Sequence, residues 1–495
     1  MLSGRTTESY GHWVSGFLDK FIGHRTTDIR HLTSCGLRSF FSHLHRPPVE
    51  SEVQKTFSIT NFGCRASQSE GASIHQELLE SHAVESESAY DANVVVVNSC
   101  TITAEADRDV RQTIRRIASR NPNAQIIVTG CYAQRAPEEL ASLPQVRFVL
   151  GNSHKPLAAQ LALNLLQDDF GAHGRGEILC SSIFLERDFR PASYVGSGGR
   201  TRAILKVQDG CNANCSFCII PSVRGRSRSI EPEAAIAEVR ELVARGYKEV
   251  VFSGIHLGTY GRDLRSKTSF YELICRALEV PGLERLRLSS IEPLEIIPEL
   301  IDLIATHPRV AHHFHIPLQS GSARILRAMY RPYSPQYYFD LVSRIRARIP
   351  DAGLGADVMV GFPGETDADF SATYQLIEAS PLTYLHVFPY SSRPGTVAAG
   401  LPNHVPEHVS RFRAKMLRNL IARKNETFRR NMIGSEIEVL TLEDGTALSS
   451  NFVPVLISDP VAVNEWVRVV VTGLHGERGL HASRMKTAHT PADPA

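Results

Sequence analysis

The chain has 495 residues, 42% of them apolar and 21% charged, with a formal charge of +2 at pH 7; this is ordinary globular composition, long enough for two to four domains. Near-neutral charge confines any nucleic-acid contact to local basic patches, and no apolar run approaches the roughly 20 residues that span a bilayer. Nine cysteines are too few for a secreted disulfide scaffold, so a cytoplasmic protein without a membrane partner is expected.

Residues 1–52 hold five of the twenty histidines and show no steady period. They lack an apolar core followed by a small-residue cleavage site, so a poorly ordered extension is expected there, not a secretory signal. Residues 53–168 alternate short β-branched runs (Phe57-Ser58-Ile59, Val94–Val97, Ile126–Val128) with helices predicted over 67–81, over 104–120 and from Pro137. That alternation implies a parallel sheet covered by helices. Glycines at 171, 174, 176, 196, 198 and 199 suit an interdomain linker.

Within 200–430 the alternation returns at longer spacing. Strands are predicted at 203–207, 249–253, 285–289, 313–317, 355–360 and 385–389, with helices between them such as 232–245, 270–278 and 368–379. Six βα repeats imply a partly open, TIM-like barrel whose active residues lie in loops after the strand ends. A basic helix is predicted near 406–431. Residues 431–487 then lose helical period and show short strands at 437–442, 453–457 and 467–474, the pattern of a small β-barrel. The fold class is α/β, in three parts.

Cys211-Asn-Ala-Asn-Cys215-Ser-Phe-Cys218 follows the first predicted barrel strand. Three thiolates this close can hold one small metal centre. A structural zinc wants a fourth protein ligand, and no cysteine or histidine follows before His256. An iron–sulfur cube usually takes four cysteines; three leave one iron open to a reactant. A zinc knuckle with a distant fourth ligand is the other reading. The C-x3-C-x2-C spacing at a barrel strand end resembles the radical S-adenosylmethionine superfamily. That resemblance implies a 4Fe–4S cluster on Cys211, Cys215 and Cys218 as the catalytic set, with S-adenosylmethionine on the open iron and a 5′-deoxyadenosyl radical as its product. Phe217 corresponds to the family residue beside the adenine; alone it would read as core packing.

Cys64, Cys100 and Cys131 each end the same phrase, an apolar strand followed by a short small or polar pair. Ends of parallel strands share one edge, where α/β proteins bind ligands, and neighbouring strands are about 4.8 Å apart. A single cysteine there would be a small buried hydrophobe, but three in register point to a second metal centre. This pairing of trios is similar to the methylthiotransferase family over residues 53–487. The matching phrases include Asn98-Ser-Cys-Thr-Ile-Thr-Ala-Glu-Ala-Asp107, Gly130-Cys-Tyr-Ala-Gln134, Gln208-Asp-Gly-Cys211 and Pro389-Tyr-Ser-Ser-Arg-Pro-Gly-Thr396. The resemblance implies an auxiliary 4Fe–4S cluster on Cys64, Cys100 and Cys131, a carboxyl-terminal TRAM domain that binds RNA, tRNA as substrate, and an electron donor such as flavodoxin or ferredoxin.

Within that family, Thr101–Asp107 and Arg224–Ser229 resemble the branch acting on threonylcarbamoyladenosine (the MtaB type). The expected reaction is C2 methylthiolation of that adenosine next to the anticodon, with two molecules of S-adenosylmethionine used. Isopentenyladenosine, or a ribosomal-protein aspartate, is the alternative substrate, and a non-enzymatic zinc-containing RNA-binding protein the alternative class. Gly254, Gly361 and Gly364 follow predicted strands and are cofactor-binding candidates, since glycine lets backbone approach a ligand closely; Gln319 and Ser320, after the fourth strand, are candidate ribose or methionine contacts, or else a turn held by side-chain hydrogen bonds. Ser253-Gly254-Ile255 departs from the paired-glycine form of the family. Arg224, Arg226 and Arg228 alternate just past the cysteine loop, which predicts one face for RNA phosphates.

Overall fold

The computed structural model describes residues 55–167, 175–189, 191–194, 201–442 and 445–485; the extension expected at 1–52 lies outside them. The first sheet contains β1 (Thr56–Asn61), β2 (Val84–Glu85), β3 (Val94–Ser99), β4 (Gln125–Gly130), β5 (Val146–Leu150) and β6 (Glu177–Leu179). Their order is β2-β1-β3-β4-β5-β6, and all are parallel. Central β3 is buried at every position because helices cover both of its faces. Those helices are α1 (Arg65–Glu80), α2 (Ala104–Arg120), α3 (Cys131–Arg135), α4 (Pro137–Ala141) and α5 (Ala158–Gln167). Val95 and Val97 pack with Val110, Ile114 and Ile117 of α2. Val94 and Val96 pack on the opposite side with Ile74, Leu78, Ala159 and Leu165. Alternate side chains of one strand therefore feed two cores.

The stretch read as a linker is partly sheet. β6 completes the first sheet, and β7 (Ala192–Tyr194) runs antiparallel to β8 (Arg202–Lys206) in the second. Three-residue strands carry too few side chains to show a period. Beyond β8 lie a short antiparallel pair, β9 (Gln208–Asp209) with β10 (Arg228–Ser229), then β11 (Glu249–Ser253), β12 (Arg285–Leu288), β13 (His313–His315), β14 (Gly353–Val360) and β15 (Tyr384–Pro389). β8, β11 and β12 are parallel neighbours, as are β13, β14 and β15; single bridges, Leu286 to Val310 and Ser290 to His315, join the two groups. The six expected βα repeats are present.

The long helix Glu407–Arg430 keeps Arg411, Lys415, Arg418, Arg423 and Arg430 exposed but turns two other arginines inward. Arg413 pairs with Glu365 at 2.6 Å and Asp367 at 2.7 Å, and Arg429 donates to the Gly479 carbonyl at 2.7 Å. It fastens the large barrel to the closed small barrel made of β16 (Glu436–Thr441), β17 (Thr446–Ser449), β18 (Pro454–Ile457), β19 (Trp466–His475) and β20 (Gly479–Arg484). No described helix is long and apolar enough to cross a membrane.

A buried ion cluster makes the second fastening. Glu249, at the start of β11, is fully buried and accepts from Arg202 at 2.7 Å, from Arg287 at 3.0 and 3.1 Å, and from Arg285. Arg287 continues to the carbonyls of Ser449 (3.1 Å) and Ser450 (2.9 Å) in the small barrel. Burial alone would raise the Glu249 carboxyl; Arg285, Arg287 and Arg202 outweigh it and hold it well below 4.5. Removing one partner of a buried pair costs about 3–5 kcal/mol. Thermal unfolding of Glu249→Ala should therefore show a loss of that size at neutral pH. Because the folded carboxyl titrates below its unfolded value, its contribution is present above pH 4.5 and is lost as pH falls further, so the gap between variant and wild type should narrow in acid.

Candidate active site

The first cysteine trio forms where three neighbouring strands stop. β1, β3 and β4 lie side by side, with Asn61 opposite Asn98 and Ser99 opposite Gly130. Cys64 precedes α1, Cys100 follows β3, and Cys131 opens α3. Gly63 and Gly130 both have φ +101°, and each makes the chain turn directly before its cysteine. A Cβ on Gly63 would lie 2.9 Å from Cys100 Cβ, and one on Gly130 would lie 2.4 Å from the Ser99 carbonyl oxygen. Cys100 and Cys131 are buried and Cys64 is exposed. Burial pushes the Cys100 thiol up to about 12, with Cys131 and Cys64 adding to it and Arg224 opposing it.

The second trio lies in the loop between β9 and α6 (Ile220–Arg224). The Cys211 amide donates to the Gly225 carbonyl at 3.1 Å, which closes the loop under the β9–β10 pair. Burial pushes the Cys218 thiol up to about 12; Cys215 and Cys211 add to this, while Arg331 opposes it. Two polar side chains touch the other sulfurs. Arg331 Nη1 donates to Cys215 Sγ at 3.3 Å, and His256 Nδ1 lies 3.4 Å from Cys211 Sγ. Each is held from behind, Arg331 by Glu292 and His256 by Glu295 at 3.0 Å. Sequence had marked His256 only as the next possible ligand, and it gave no signal for Arg331.

The remaining candidates sit on loops at the same ends of the barrel strands. Gly254 adjoins a loop latched by Gln208, whose Oε1 accepts from the amides of Ile255 (2.9 Å) and His256 (2.7 Å). Gln319 has φ +64° and is bridged to Val358, which sets it beside β14. Phe217 packs with Phe362, Met329, Ile325 and Ala398, which brings it against the Gly361–Gly364 turn. The Gly361 amide donates to Glu365 at 2.6 Å. Ser320 sits deeper than Gln319. It is fully buried, its hydroxyl lies 3.3 Å from that of Thr373 and accepts from the Ser322 amide at 3.2 Å, so it shapes the turn from below.

The arginine alternation does not make the single exposed face expected of it. Only Arg226 is exposed. Arg224 is 2% exposed and Arg228 9%; Arg228 donates to the Arg224 carbonyl at 2.9 Å. A phosphate face made of all three does not exist, because the short helix α6 turns Arg224 inward between the two sheets. Three residues on the barrel strands were also missed. His315 and His386 each lie 3.2 Å from Asp357, with donor atoms of all three within 4.8 Å of one another. Burial would raise the Asp357 carboxyl, but the two imidazoles hold it below the usual carboxylate range. They alternate with apolar neighbours as any strand does, so period alone hid them.

The two trios adjoin. Cys131 packs in one apolar cluster with Ile219 and Val223, which follow Cys218 in the chain. A buried ionic bridge holds the halves together: Asp107 accepts from Arg135 at 2.9 Å and from Arg393 beyond β15. Among the described residues all eight cysteines are free. The Arg224 Nε–H is buried with no acceptor among those residues; a thiolate-bound anionic centre beside it would supply one. The donor set fits two three-thiolate centres.

Residues 205–377 match the Radical SAM superfamily, and residues 56–151 match the Uncharacterized protein family UPF0004. The chain is 37% identical over 380 residues to the threonylcarbamoyladenosine tRNA methylthiotransferase MtaB of Aquifex aeolicus, covering 77% of this chain and 91% of that one. It is 38% identical over 418 residues to the MtaB of Rickettsia prowazekii (84% and 94%) and 38% identical over 363 residues to that of Bacillus subtilis (73% and 79%). The chain belongs to the MtaB family of methylthiotransferases.

Gly130→Ala tests how the first trio is built. Its φ alone costs about 1–3 kcal/mol for a residue with a side chain, and the clash falls on backbone. Thermal unfolding should show a loss of at least that size, whereas Gly473→Ala, with open space around it, should show little.

Proposed function

We infer that the protein methylthiolates C2 of N6-threonylcarbamoyladenosine next to the anticodon of tRNA, using two molecules of S-adenosylmethionine. Cys64, Cys100 and Cys131 would hold one 4Fe–4S cluster, and Cys211, Cys215 and Cys218 the other. When bound, the first cluster would supply the site of a sulfur that takes its methyl group from one S-adenosylmethionine, and the second would supply the electron that releases a hydrogen-abstracting 5′-deoxyadenosyl radical from the other. The observation that carries the reading is the contact of Cys131 with Ile219 and Val223: the trios adjoin, so one substrate carbon can be served by both.

The chain's own residues bind, orient and exclude water. Arg331 aims an N–H at the sulfur of Cys215, and His256 Nδ1 lies against that of Cys211; positive charge there compensates negative charge on the ligands. Phe217, Gly254, Gln319, Gly361 and Gly364 line the strand ends where S-adenosylmethionine would bind, with Ser320 supporting the turn. Arg226 is the exposed arginine left for a tRNA phosphate, and the small barrel is the other RNA contact. The substrate base must leave its stack to reach the strand ends. We assign the auxiliary domain to residues 53–168, the radical domain to 200–430 and the TRAM domain to 431–487. The protein would act in the cytoplasm, with flavodoxin or ferredoxin as reductant.

Anaerobic reconstitution should give about eight irons per chain. A Cys64/Cys100/Cys131→Ala variant should keep about four irons and still release 5′-deoxyadenosine, yet form no methylthio nucleoside. Nucleoside mass spectrometry of tRNA from a deletion strain should lose the methylthio-threonylcarbamoyl nucleoside. Loss of the isopentenyl form instead would contradict the substrate assignment, and colourless protein holding zinc would contradict the enzyme.

A further inference from the structure

Arg224 and Arg287 are the largest fully buried side chains among the described residues. Its Nη1 donates to Glu70 at 2.8 Å and Asp209 at 2.9 Å, and its Nη2 to Ser67 Oγ and Glu70, both at 3.2 Å. That accounts for four of the five guanidinium hydrogens. The fifth, on Nε, has no partner among the described residues. A buried donor left without an acceptor costs about 1–3 kcal/mol, so a built protein site places one there.

The surrounding charge points the same way. Lys155 and Lys206 also bind Glu70, and Lys206 binds Asp209 at 3.1 Å. Among the buried groups three cations (Lys155, Lys206, Arg224) face two carboxylates, a local surplus of one, while Glu77, Glu186 and Asp188 line the more open part of the same cavity and Arg228 stands 3.8 Å from Asp209. Buried charge of one sign calls for an opposite partner.

The first cysteine trio lies next to this surplus by three routes. Ser67 Oγ, which accepts from Arg224, is 3.8 Å from Cys64 Sγ. Val223, the residue before Arg224, packs on Cys131. Asn152 Nδ2 joins them, donating to the Val223 carbonyl at 2.7 Å and reaching Cys131 Sγ at 3.6 Å. Burial would weaken the Arg224 charge, but Cys131, Glu70, Asp209 and Cys64 hold it firmly protonated.

We propose that Arg224 is a positioning residue for the auxiliary cluster, donating its Nε–H to a sulfur of the group held by Cys64, Cys100 and Cys131 and raising that group's reduction potential. The inference rests on the reading of the trio as cluster ligands. Hydrogen bonds and charge at the sulfurs set the potential of such centres. Because α6 begins two residues after Cys218, the loop that holds one cluster also supplies the residue that tunes the other.

The test uses the full chain carrying Cys211/Cys215/Cys218→Ala, so that a single cluster is observed. An EPR-monitored redox titration compares this parent with versions carrying Arg224→Lys or Arg224→Met. The lysine version, which keeps a cation for Glu70 and Asp209, should keep the parent's iron content and shift to lower potential; the methionine version should shift further wherever it retains iron. The parent labelled with 15N-arginine should show a weak 15N coupling to the reduced cluster, absent from the lysine version. Unchanged potentials with iron retained would overturn the proposal, as would absence of the 15N coupling; the coupling decides if a variant sheds its iron. A parent that binds no iron would overturn the reading of the trio itself, a separate and recognisable failure.

Discussion

Everything depends on keeping two sheet edges face to face. Parallel strands deliver their following loops to one edge, so three strand-end cysteines in the first sheet and three in the first barrel loop each form a trio. Neither geometry brings the trios together. What does so is buried charge across the seam: Asp107 with Arg135 and Arg393, and Glu70 with Arg224 and Lys206. Such pairs add little net stability over apolar packing, yet they are costly to separate. Here they pin the register of one half on the other.

The same logic operates at the opposite end of the barrel. Glu249 gathers three arginines, and two of them reach carbonyls of the small barrel. Phe452, whose φ is +68°, sets its ring under Arg287 and beside His313. The RNA-binding candidate domain is thus a fixed floor of the catalytic one. The small barrel and the strand ends that carry the cysteines are held in one frame.

The strand and helix alternation was legible because β-branched runs such as Val94–Val97 and amphipathic helices such as Ala104–Arg120 have strong periods. The cysteine trios were legible because their spacing carries chemistry. Short, polar or small elements were not: Thr446–Ser449 and Gly479–Arg484 close the small barrel with few β-branched residues. The arginines after Cys218 were misread for a physical reason. Alternation predicts a shared face only in a strand, whereas Arg224 ends a helix and Arg228 begins β10. Arg331 touches Cys215 across more than a hundred residues of sequence, and no local pattern encodes such a contact.

The central claim is that six cysteines hold two adjacent iron–sulfur centres, one on each side of the Cys131–Ile219 contact. Anomalous diffraction at the iron edge from crystals of the anaerobically reconstituted chain tests it most directly. The account predicts two iron peaks, one bounded by Cys64, Cys100 and Cys131 and the other by Cys211, Cys215 and Cys218. A single peak, with the strand-end trio empty, would contradict it.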